Sequence, residues 1–422
     1  MRRLELHRLW RLWPVLALGL LAVSGRWLVM GRAALFDVTD RTRIFVTTPN
    51  DGGPGSLREA IFAADRADRA STIVLRTSRI VLTSELPPIV NPKGVHIDAA
   101  QSETEIDARS QTGASVLEIR SPDSLVEGLR VRGASGTALL IRAPRVRLRR
   151  LSIADSSDGV TLADGSSDVL IEDSRFEANG TGLVLDGVIP GVVVRNNQFA
   201  RHEQAGIRAI SPRASAAATS AGLLVRSNRF EDDRISLVLI HLGARVELNS
   251  IQRARESAMF LMGRGAIVRA NRTRDSAGIG IFADDTQDAL IEDNELDHHA
   301  AVALLVRSGG GTVTQNNRIY DNGYGIAVVF GDRARPHIVR GNLLMGQTQD
   351  ALYVVGGSPL IERNRALRNR VAAMRILEFV PRQGPHLAAV PHLAGNVFKD
   401  NLLNGPVYGQ YLVSPSEEER RK

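Results

Sequence analysis

Short stretches of alternating hydrophobic and polar residues fill most of the chain, and one asparagine returns with them at a nearly regular spacing. Between residues 190 and 370 it recurs every 21 to 31 residues, at Asn197, Asn228, Asn249, Asn271, Asn294, Asn317, Asn342 and Asn364. A β-branched residue precedes it by three positions in most copies, and a mostly apolar residue follows it by two. Such self-similarity is the mark of a stacked array. A phrase this short and this rich in β-formers predicts one coil of a parallel β-helix, in which each coil adds a strand to each of several long sheets.

The repeated asparagine itself predicts an internal ladder. Successive coils of a parallel β-helix lie about 4.8 Å apart, the spacing between neighbouring strands. Identical asparagine side chains stacked at that spacing can hydrogen-bond to one another along the stack. We therefore expect the ladder to stabilise the fold rather than to carry chemistry.

The first residues have the composition of an export signal. Residues 12–24 form an apolar run that follows several arginines, a pattern typical of a signal peptide. Ala22 and Ser24 are small residues that suit a cleavage site. The alternative is an uncleaved anchor over residues 9–31, because a membrane span needs about 20 residues and Trp27–Met30 extends the run nearly to that length. Both alternatives predict export, with the protein periplasmic, secreted or tethered to the membrane.

The next segment predicts a cover for the first coil. Ile44–Thr48 predicts a strand and Asn50–Gly55 a turn. Ser56 and Glu59 fit a capping box that begins a short helix. A solenoid must shield its open end from water, so we expect this strand and helix to close it.

The stretch VTTPNDGGPGSLREAIF, residues 46–62, resembles the N-terminal segment of exported right-handed β-helix proteins of the pectin-lyase-like superfamily. The resemblance implies a right-handed helix with three sheets per coil, an extracytoplasmic location and often a polysaccharide partner. It carries no activity, because the superfamily includes lyases, hydrolases, epimerases and proteins without known catalysis. The chain lacks the Asn-Thr-Asp, Gly-His-Gly and Arg-Ile-Lys motifs of polygalacturonase-like hydrolases and the Asp-Pro-His motif of alginate-epimerase-like sites. For an enzyme of this kind we expect a lyase or an epimerase rather than a hydrolase.

The pattern and the resemblance together predict one all-β domain with special segments at both ends. Five segments are expected: a signal peptide or membrane anchor in 1–36, an N-terminal cap in 37–70, a right-handed parallel β-helix in 71–374, a C-terminal crossing segment with one last coil in 375–413, and a disordered tail in 414–422.

Composition narrows the range of partners. The net charge of +7 is carried almost wholly by arginine, mixed with acidic residues along the chain. Because no basic block carries interleaved aromatic residues, a nucleic-acid partner is not expected. The chain has no cysteine, which excludes disulfides, thiol catalysis and cysteine-ligated metals.

Alternation in the second strand after each recurring asparagine predicts which side chains face inwards. Pairs such as Leu183/Leu185 and Leu237/Leu239 are expected to fill the interior. The outward positions form an unexpected apolar strip: Val184, Ile210, Val238, Ile240, Phe260, Met262, Phe282, Leu305, Ala327, Val329, Tyr353 and Val355, interrupted by Arg208, Asp284 and Arg307. One interpretation is that residues 375–392 or the insertion 211–220 cover it. The other is that it docks a partner protein, a second copy or a lipid-linked substrate.

One candidate catalytic cluster lies in the turn four residues after the recurring asparagine. Asp275, His298 and Asp321 occupy this position in successive coils, so stacking would place the histidine between two carboxylates. Such a histidine can act as a general base or help to form a weak metal site. The alternative is an exposed stack of alternating charges.

A second cluster is a candidate for substrate binding. It comprises Asp284, Asp285 and Arg307, with His241 two coils earlier. The acidic oxygens could bind Ca²⁺, and the arginine could bind an acidic sugar. The alternative is a structural pair between Asp284 and Arg307. No other cofactor is indicated.

These observations predict an extracytoplasmic protein that binds, and in an enzymatic interpretation modifies, a polysaccharide along its long side. The alternative is a non-catalytic envelope scaffold that docks another envelope protein or a second copy through the apolar strip. The glycan and the type of reaction are not predicted.

Overall fold

The computed structural model describes residues 41–211, 222–381 and 386–412. The described residues from Arg43 onwards belong to one compact unit, a right-handed parallel β-solenoid of about 13 coils. Each coil supplies one strand to each of three parallel sheets, which confirms the predicted fold class. The predicted N-terminal signal or anchor, the tail and most of the insertion lie outside the described residues.

In the described ranges the three sheets contain 15, 14 and 13 strands. Sheet 1 comprises Thr42–Val46, Ser71–Leu75, Val95–Asp98, Leu125–Glu127, Arg147–Arg149, Leu170–Glu172, Val193–Arg195, Leu224–Arg226, Arg245–Glu247, Ile267–Arg269, Leu290–Glu292, Val313–Gln315, Ile338–Arg340, Leu360–Glu362 and His392–Ala394. Sheet 2 comprises Arg79–Val81, Glu105–Asp107, Arg130–Arg132, Ser152–Ala154, Arg175–Glu177, Gln198–Ala200, Arg229–Glu231, Ser250–Gln252, Arg272–Arg274, Glu295–Asp297, Arg318–Tyr320, Leu343–Met345, Arg365–Leu367 and Val397–Lys399. Sheet 3 comprises Ser115–Ile119, Thr137–Ile141, Asp158–Leu162, Thr181–Asp186, Ala205–Ile210, Ile235–Ile240, Ser257–Arg264, Ile281–Gln287, Val302–Arg307, Tyr324–Val329, Leu352–Val355, Ala372–Val380 and Leu403–Leu412.

One helix, Leu57–Arg66, caps the N-terminal end. The Ser56 hydroxyl accepts the Glu59 N–H at 3.2 Å, and the Glu59 carboxylate accepts the Gly55 N–H at 2.6 Å. The first bond confirms Ser56 as the predicted N-cap, whereas the Glu59 side chain reaches the N–H of Gly55 instead of that of Ser56, which donates to the Gly53 carbonyl oxygen. The inner face of the helix buries four apolar side chains in the solenoid core: Leu57, Ala60, Ile61 and Ala64.

The asparagine ladder forms as predicted. Each of the eight asparagines donates its backbone N–H and its side-chain amide to the side-chain oxygen of the next, with N···O distances of 2.9–3.1 Å. The last bonds in this run reach Asn396. All eight side chains are buried. Buried amides need hydrogen-bond partners, and here the asparagine of each coil accepts hydrogen bonds from the asparagine of the preceding coil.

The interior is filled by stacked apolar side chains. Phe176, Phe199 and Phe230 stack face to face, with centroid separations of 4.8 and 4.9 Å. The pairs Leu183/Leu185 and Leu237/Leu239 are fully buried, which confirms the predicted register of sheet 3.

The regular coils continue beyond Met374, where the repeat pattern breaks in the sequence. The strand Ala372–Val380 extends sheet 3, and Phe379 forms an antiparallel bridge with Leu387. Phe379 also packs edge-on against Phe330, with ring centroids 4.8 Å apart. The described part of residues 375–392 therefore lies at the C-terminal end of the apolar strip.

Candidate functional site

The outer face of sheet 3 changes character along the solenoid. One outward column of this sheet is paired in register from coil to coil: Glu118, Leu140, Thr161, Val184, Arg208, Val238, Phe260, Phe282, Leu305, Ala327, Tyr353. Its middle members form the predicted apolar strip, and most of them are half-buried. Phe260 and Phe282 meet edge-on, with ring centroids 5.3 Å apart. Near the capped end the same face is polar.

The polar end of this face holds an open cleft of about 670 Å³, the polar cleft. Ten residues line it: Glu85, Leu86, Pro88, Ala114, Ser115, Glu118, Arg120, Leu140, Arg142 and Asp164. The cleft was not predicted from the sequence, because the outward positions of these strands were assigned only from Val184 onwards. Extending the same register back to Glu118 and Thr161 would have located it.

Charged side chains from successive coils meet in the polar cleft. Arg120 donates through Nε to Glu118 Oε1 at 2.8 Å, and Arg142 Nε lies 3.3 Å from the same oxygen. Because Glu118 is partly buried beneath two guanidinium groups, its side chain is held in place. The cleft floor thus offers fixed donors and acceptors to a polar ligand.

The N-terminal cap holds one wall of the polar cleft. Arg58, on the cap helix, contacts Asp51 through Nη2 and Oδ1 at 2.5 Å, and it donates to the hydroxyl of Ser84 at 2.8 Å. Arg58 also donates to the Glu85 carbonyl oxygen. The Glu85 carboxylate in turn accepts the Ala114 N–H. Residues of the cap motif therefore fix a side chain that lines the cleft.

Asp51 is the centre of this network. Its other oxygen, Oδ2, accepts hydrogen bonds from the hydroxyls of Thr83 at 2.7 Å and Ser84 at 2.9 Å. Burial alone would raise the pKa of Asp51, but the hydrogen bonds from Arg58 and the two hydroxyls outweigh it and lower the pKa to about 2. Asp51 is therefore ionised at neutral pH.

Asp158 lies farther along the same face, between the polar cleft and the apolar strip. It is half-buried at the start of the strand Asp158–Leu162. Burial raises the pKa of Asp158, and the nearby Arg208 guanidinium and Thr181 hydroxyl offset part of that rise. A carboxyl that keeps its proton to higher pH has the property that a general acid needs.

The predicted catalytic cluster lies elsewhere, in the turns that follow the sheet 2 strands. Asp275, His298 and Asp321 take equivalent exposed positions in three successive coils, all with left-handed backbone (φ 53–58°). Asp275 accepts from Arg274 Nε at 3.1 Å, and His298 Nδ1 lies 3.8 Å from Asp297 Oδ1. The arrangement is a solvent-facing stack of charges, and its catalytic role stays a prediction.

The next residue along the turn, His299, is buried and belongs to a second ladder. Its Nδ1 accepts the Ser276 N–H at 3.2 Å, so the proton lies on Nε2, which contacts the Thr273 hydroxyl at 2.9 Å. Burial lowers the pKa of His299 to about 4. The ladder then continues through four buried amides: Asn322, Gln347, Asn369 and Asn401. Sequence reasoning missed it because the residue type varies between coils.

A buried His–Asp pair belongs to the same set of turns. His202 Nδ1 lies 2.9 Å from Asp233 Oδ1, and the His202 N–H donates to that oxygen at 3.1 Å. Both side chains are 0% exposed. The pair resembles two of the three members of a catalytic triad, but its burial leaves no route to a substrate, so we assign it to the interior.

The predicted substrate-binding cluster is brought together in part. Arg307 pairs with Asp284 of the preceding coil through two hydrogen bonds, at 2.8 and 2.6 Å. The carboxylate that a Ca²⁺ site would need is thus neutralised by a guanidinium, and these residues do not fit that ion. Asp285 is exposed at a bulge. His241 is buried, with Nδ1 2.8 Å from the Leu242 carbonyl oxygen. Substrate binding by this cluster stays a prediction.

Neither a metal site nor a membrane-spanning helix is found among the described residues. Within them, no group of three or more His, Asp or Glu side chains is arranged to hold a metal ion. No helix in the same ranges has both the length and the hydropathy to span a membrane, and the predicted anchor at 9–31 falls outside them.

The three stacked parallel sheets define a right-handed parallel β-solenoid protein. A family model described as "Right handed beta helix region" matches residues 90–216 and 215–371. The chain belongs to this right-handed β-helix family. No curated protein matches it significantly in sequence.

Several solved structures share the fold at low sequence identity. The catalytic unit of a thermostable GH87 α-1,3-glucanase from Streptomyces thermodiastaticus aligns with a TM-score of 0.53 and 15% identity, over 86% of this chain and 69% of that one. A lidless DFA-IIIase from Arthrobacter chlorophenolicus in complex with GF2 aligns with a TM-score of 0.52 and 12% identity, over 78% and 95%. The tailspike protein of E. coli bacteriophage HK620, in complex with a pentasaccharide, aligns with a TM-score of 0.51 and 11% identity, over 85% and 80%.

Proposed function

We propose that this chain is an exported protein that binds a neutral polysaccharide along the outer face of sheet 3, with its tightest contacts in the polar cleft. The observation that carries the proposal is the cleft itself. Fixed carboxylates and guanidiniums converge there on an open groove. A few placed polar groups beside apolar surface are what orient a ligand in a binding site.

The charges of the polar cleft favour a neutral glycan. Three carboxylates and two arginines line it: Glu85, Glu118, Asp164, Arg120 and Arg142. Both arginines are already engaged by Glu118. A polyuronate would bring further negative charge to a site without a free cation in its lining, and like charges repel. A neutral chain can instead exchange hydrogen bonds with the same groups.

The apolar strip suits the same ligand. A glycan that leaves the polar cleft along the solenoid axis passes over Phe260 and Phe282, which sit on the same outward column as Glu118. Aromatic rings offer flat apolar surface, which can pack against the apolar face of a sugar ring. The tailspike bound to a pentasaccharide has this solenoid fold, and that likeness supports a sugar partner.

Binding is the function that this geometry supports best, and Asp158 is the first residue to test for modification. Its half-buried carboxyl lies near Arg208, which belongs to the same outward column as Glu118. Export of the chain is part of the proposal, since an extracellular glycan must be reached from outside the cytoplasm.

The decisive experiment is calorimetric titration of residues 37–422 with neutral and uronic-acid polysaccharides, followed by analysis of the glycan products. We expect saturable binding of a neutral glycan, weakened about tenfold by Arg142→Ala, because a hydrogen bond to a charged group contributes about 1.5–3 kcal/mol. The matched control is Arg175→Ala, an exposed arginine paired with a glutamate on sheet 2. Preference for polyuronates, or equal loss in both variants, would refute the site. Products altered by the parent but not by Asp158→Asn would identify an enzyme.

A second candidate function is a scaffold that docks another envelope protein through the apolar strip. Contiguous half-buried aromatic side chains at Phe260 and Phe282 favour it, since exposed apolar patches mark interaction sites. If the strip docks a protein, the parent chain should capture that protein from an envelope fraction and the Phe260→Glu variant should not. An unchanged set of captured proteins in the variant would eliminate the scaffold interpretation.

A further inference from the structure

One arginine on the outer face of sheet 3, Arg208, has no ion-pair partner among the residues that the structure describes. It belongs to the outward column that begins at Glu118, and its side chain is half-buried. Each of the other arginines in the described strands of this sheet forms an ion pair: Arg264 with Asp288, Arg307 with Asp284 and Arg375 with Asp350. Arg208 Nε is buried and donates to no acceptor within the described ranges. A buried donor of this kind calls for an acceptor, which a ligand can supply.

The neighbours of Arg208 along the column are apolar. In register it lies between Val184 of the preceding coil and Val238 of the following one. Val184 and Ala205, the latter on the same strand as Arg208, are only 5% and 2% exposed. An unpaired charge beside such apolar surface is costly, and the same surroundings strengthen its attraction to an opposite charge. The place therefore favours an anion over a neutral group.

Asp158 is an acidic group near Arg208, but it does not neutralise the guanidinium. It lies two coils earlier on the same sheet, because it pairs in register with Thr181, which pairs with Ala205. Burial raises the pKa of Asp158, and the Arg208 guanidinium opposes that rise from beyond ion-pair distance. Asp158 is thus a poor competitor for the guanidinium, which stays available to a ligand.

The position of Arg208 relative to the polar cleft is set by the register of sheet 3. Four strand-to-strand steps separate it from Glu118, which is about 19 Å at the spacing of neighbouring strands. Glu118 already engages both arginines of the cleft lining. A glycan that lies along this face therefore meets balanced charges in the cleft and an unpaired positive charge four coils away.

We propose that Arg208 binds an anionic substituent of the glycan, a sulfate, phosphate or carboxylate group. The proposal rests on the proposed function, because the substituent meets Arg208 when the glycan lies along the outer face of sheet 3. The planar guanidinium matches the oxygens of all three groups. The ligand is thus a neutral chain with isolated acidic substituents, which differs from a polyuronate with a charge on every sugar.

Matched pairs of glycans test this preference with the full chain. Dextran, pullulan and galactomannan are each titrated in a calorimeter, unmodified and lightly substituted with sulfate, phosphate or carboxymethyl groups. We expect one substituted form to bind about tenfold tighter than its unmodified parent, as a hydrogen-bonded charge pair allows. The group that gives the largest gain identifies the anion. Arg208→Gln should abolish the gain and leave the affinity for the unmodified glycan nearly unchanged.

The matched control is Arg226→Gln on the outer face of sheet 1. Arg226 is exposed and, within the described ranges, its side chain also has no ion-pair partner, so both variants lose the same charge. Asp158→Asn should keep the gain, since it removes a negative charge near the anion. An equal loss of the gain in Arg226→Gln and Arg208→Gln would reveal a general effect of net charge and would overturn the proposal.

Inorganic sulfate provides an arm that needs no glycan. It is titrated into isotope-labelled protein at constant ionic strength, and the arginine Nε–H resonance that Arg208→Gln lacks is followed by NMR. We expect a saturable shift of this resonance, and its absence would overturn the proposal. If glycans bind with no gain from substitution, this proposal fails and the proposed function stands. If no glycan binds in either form, the proposed function fails and the subsite fails with it.

Discussion

The two ends of the described solenoid differ in how well the apolar side chains of their last coils are shielded from water. At the N-terminal end a helix buries Leu57 and Ile61 over the first coil, and a polar network around Asp51 and Arg58 ties that helix to the coil beneath. In the last described coil, by contrast, Leu393 and Tyr408 pair in register with the buried Ile361 and Ile376 yet are 36% and 70% exposed. Within the described residues, the apolar side chains of the first coil are therefore covered and those of the last coil are exposed.

The comparison also shows where a repeating fold can place a function. Regular coils repeat their contacts, as in the asparagine ladder, so each coil resembles the next. The residues of the capped end do not follow the repeat. They also form part of the polar cleft, because Arg58 donates to the backbone of Glu85, which lines it. The candidate site therefore lies beside the cap rather than in the middle of the solenoid.

The largest expected effect contrasts core residues at the two ends. Ile61→Ala on the cap helix removes a fully buried side chain and should lower the free energy of unfolding by about 2–5 kcal/mol. Leu393→Ala in the last described coil removes a side chain that is 36% exposed and should cost less than about 1 kcal/mol. Urea denaturation of both variants checks this difference. Equal costs would mean that Leu393 is covered as well as Ile61 is, and the comparison would fail.

The next prediction concerns an interior coil, where the buried His299 should make the free energy of unfolding depend on pH. Burial lowers the pKa of His299 from 6.5 to about 4, so between these values the unfolded chain binds a proton that the folded chain does not. Stability from this residue is complete above pH 6.5, falls as the pH drops towards 4 and changes no further below it, a total of about 3 kcal/mol.

The control for this effect is His299→Asn, since the next coil already holds Asn322 at the same place in the ladder. Unfolding free energies at pH 7 and pH 4.5 should differ less in the variant than in the parent. If the two proteins lose the same stability between these values, His299 is not the group responsible.

The repeat made most of the fold predictable. The asparagine ladder, the N-cap at Ser56 and the inward register of Leu183 could all be inferred because each rests on the local spacing of residues in the sequence. The second ladder could not, because histidine, asparagine and glutamine fill equivalent places in it. When equivalent positions hold different residue types, looking for the recurrence of a single residue type does not reveal them.

The site was harder to predict for a related reason. His298 stands out in the sequence, yet its neighbour His299 is the buried member of the turn. The polar cleft is lined by Glu85, which lies close to the cap, and by Arg142, which lies 57 residues later in the chain. Sequence spacing cannot reveal such a contact unless the register of every intervening coil is known.

The smallest effect concerns the polar network of the cap. Hydrogen bonds from Arg58 and the hydroxyls of Thr83 and Ser84 lower the pKa of Asp51 from 3.8 to about 2, against the opposing influence of burial. Its contribution to stability is therefore complete above about pH 4 and is lost as the pH falls through 2, a total of roughly 2 kcal/mol. This window lies below that of His299, so the two can be told apart in one titration.

Asp51→Asn should remove this acid-sensitive step, measured as the change in unfolding free energy between pH 4 and pH 2, and leave the step between pH 6.5 and 4 unchanged. Because Arg58 also holds the wall of the polar cleft, the same variant should weaken glycan binding at pH 7. The control is Asp232→Asn, an exposed aspartate paired with Arg253 on a middle coil, which should alter neither property. Loss of the acid step without weaker binding would show that the cap stabilises the solenoid but does not shape the cleft.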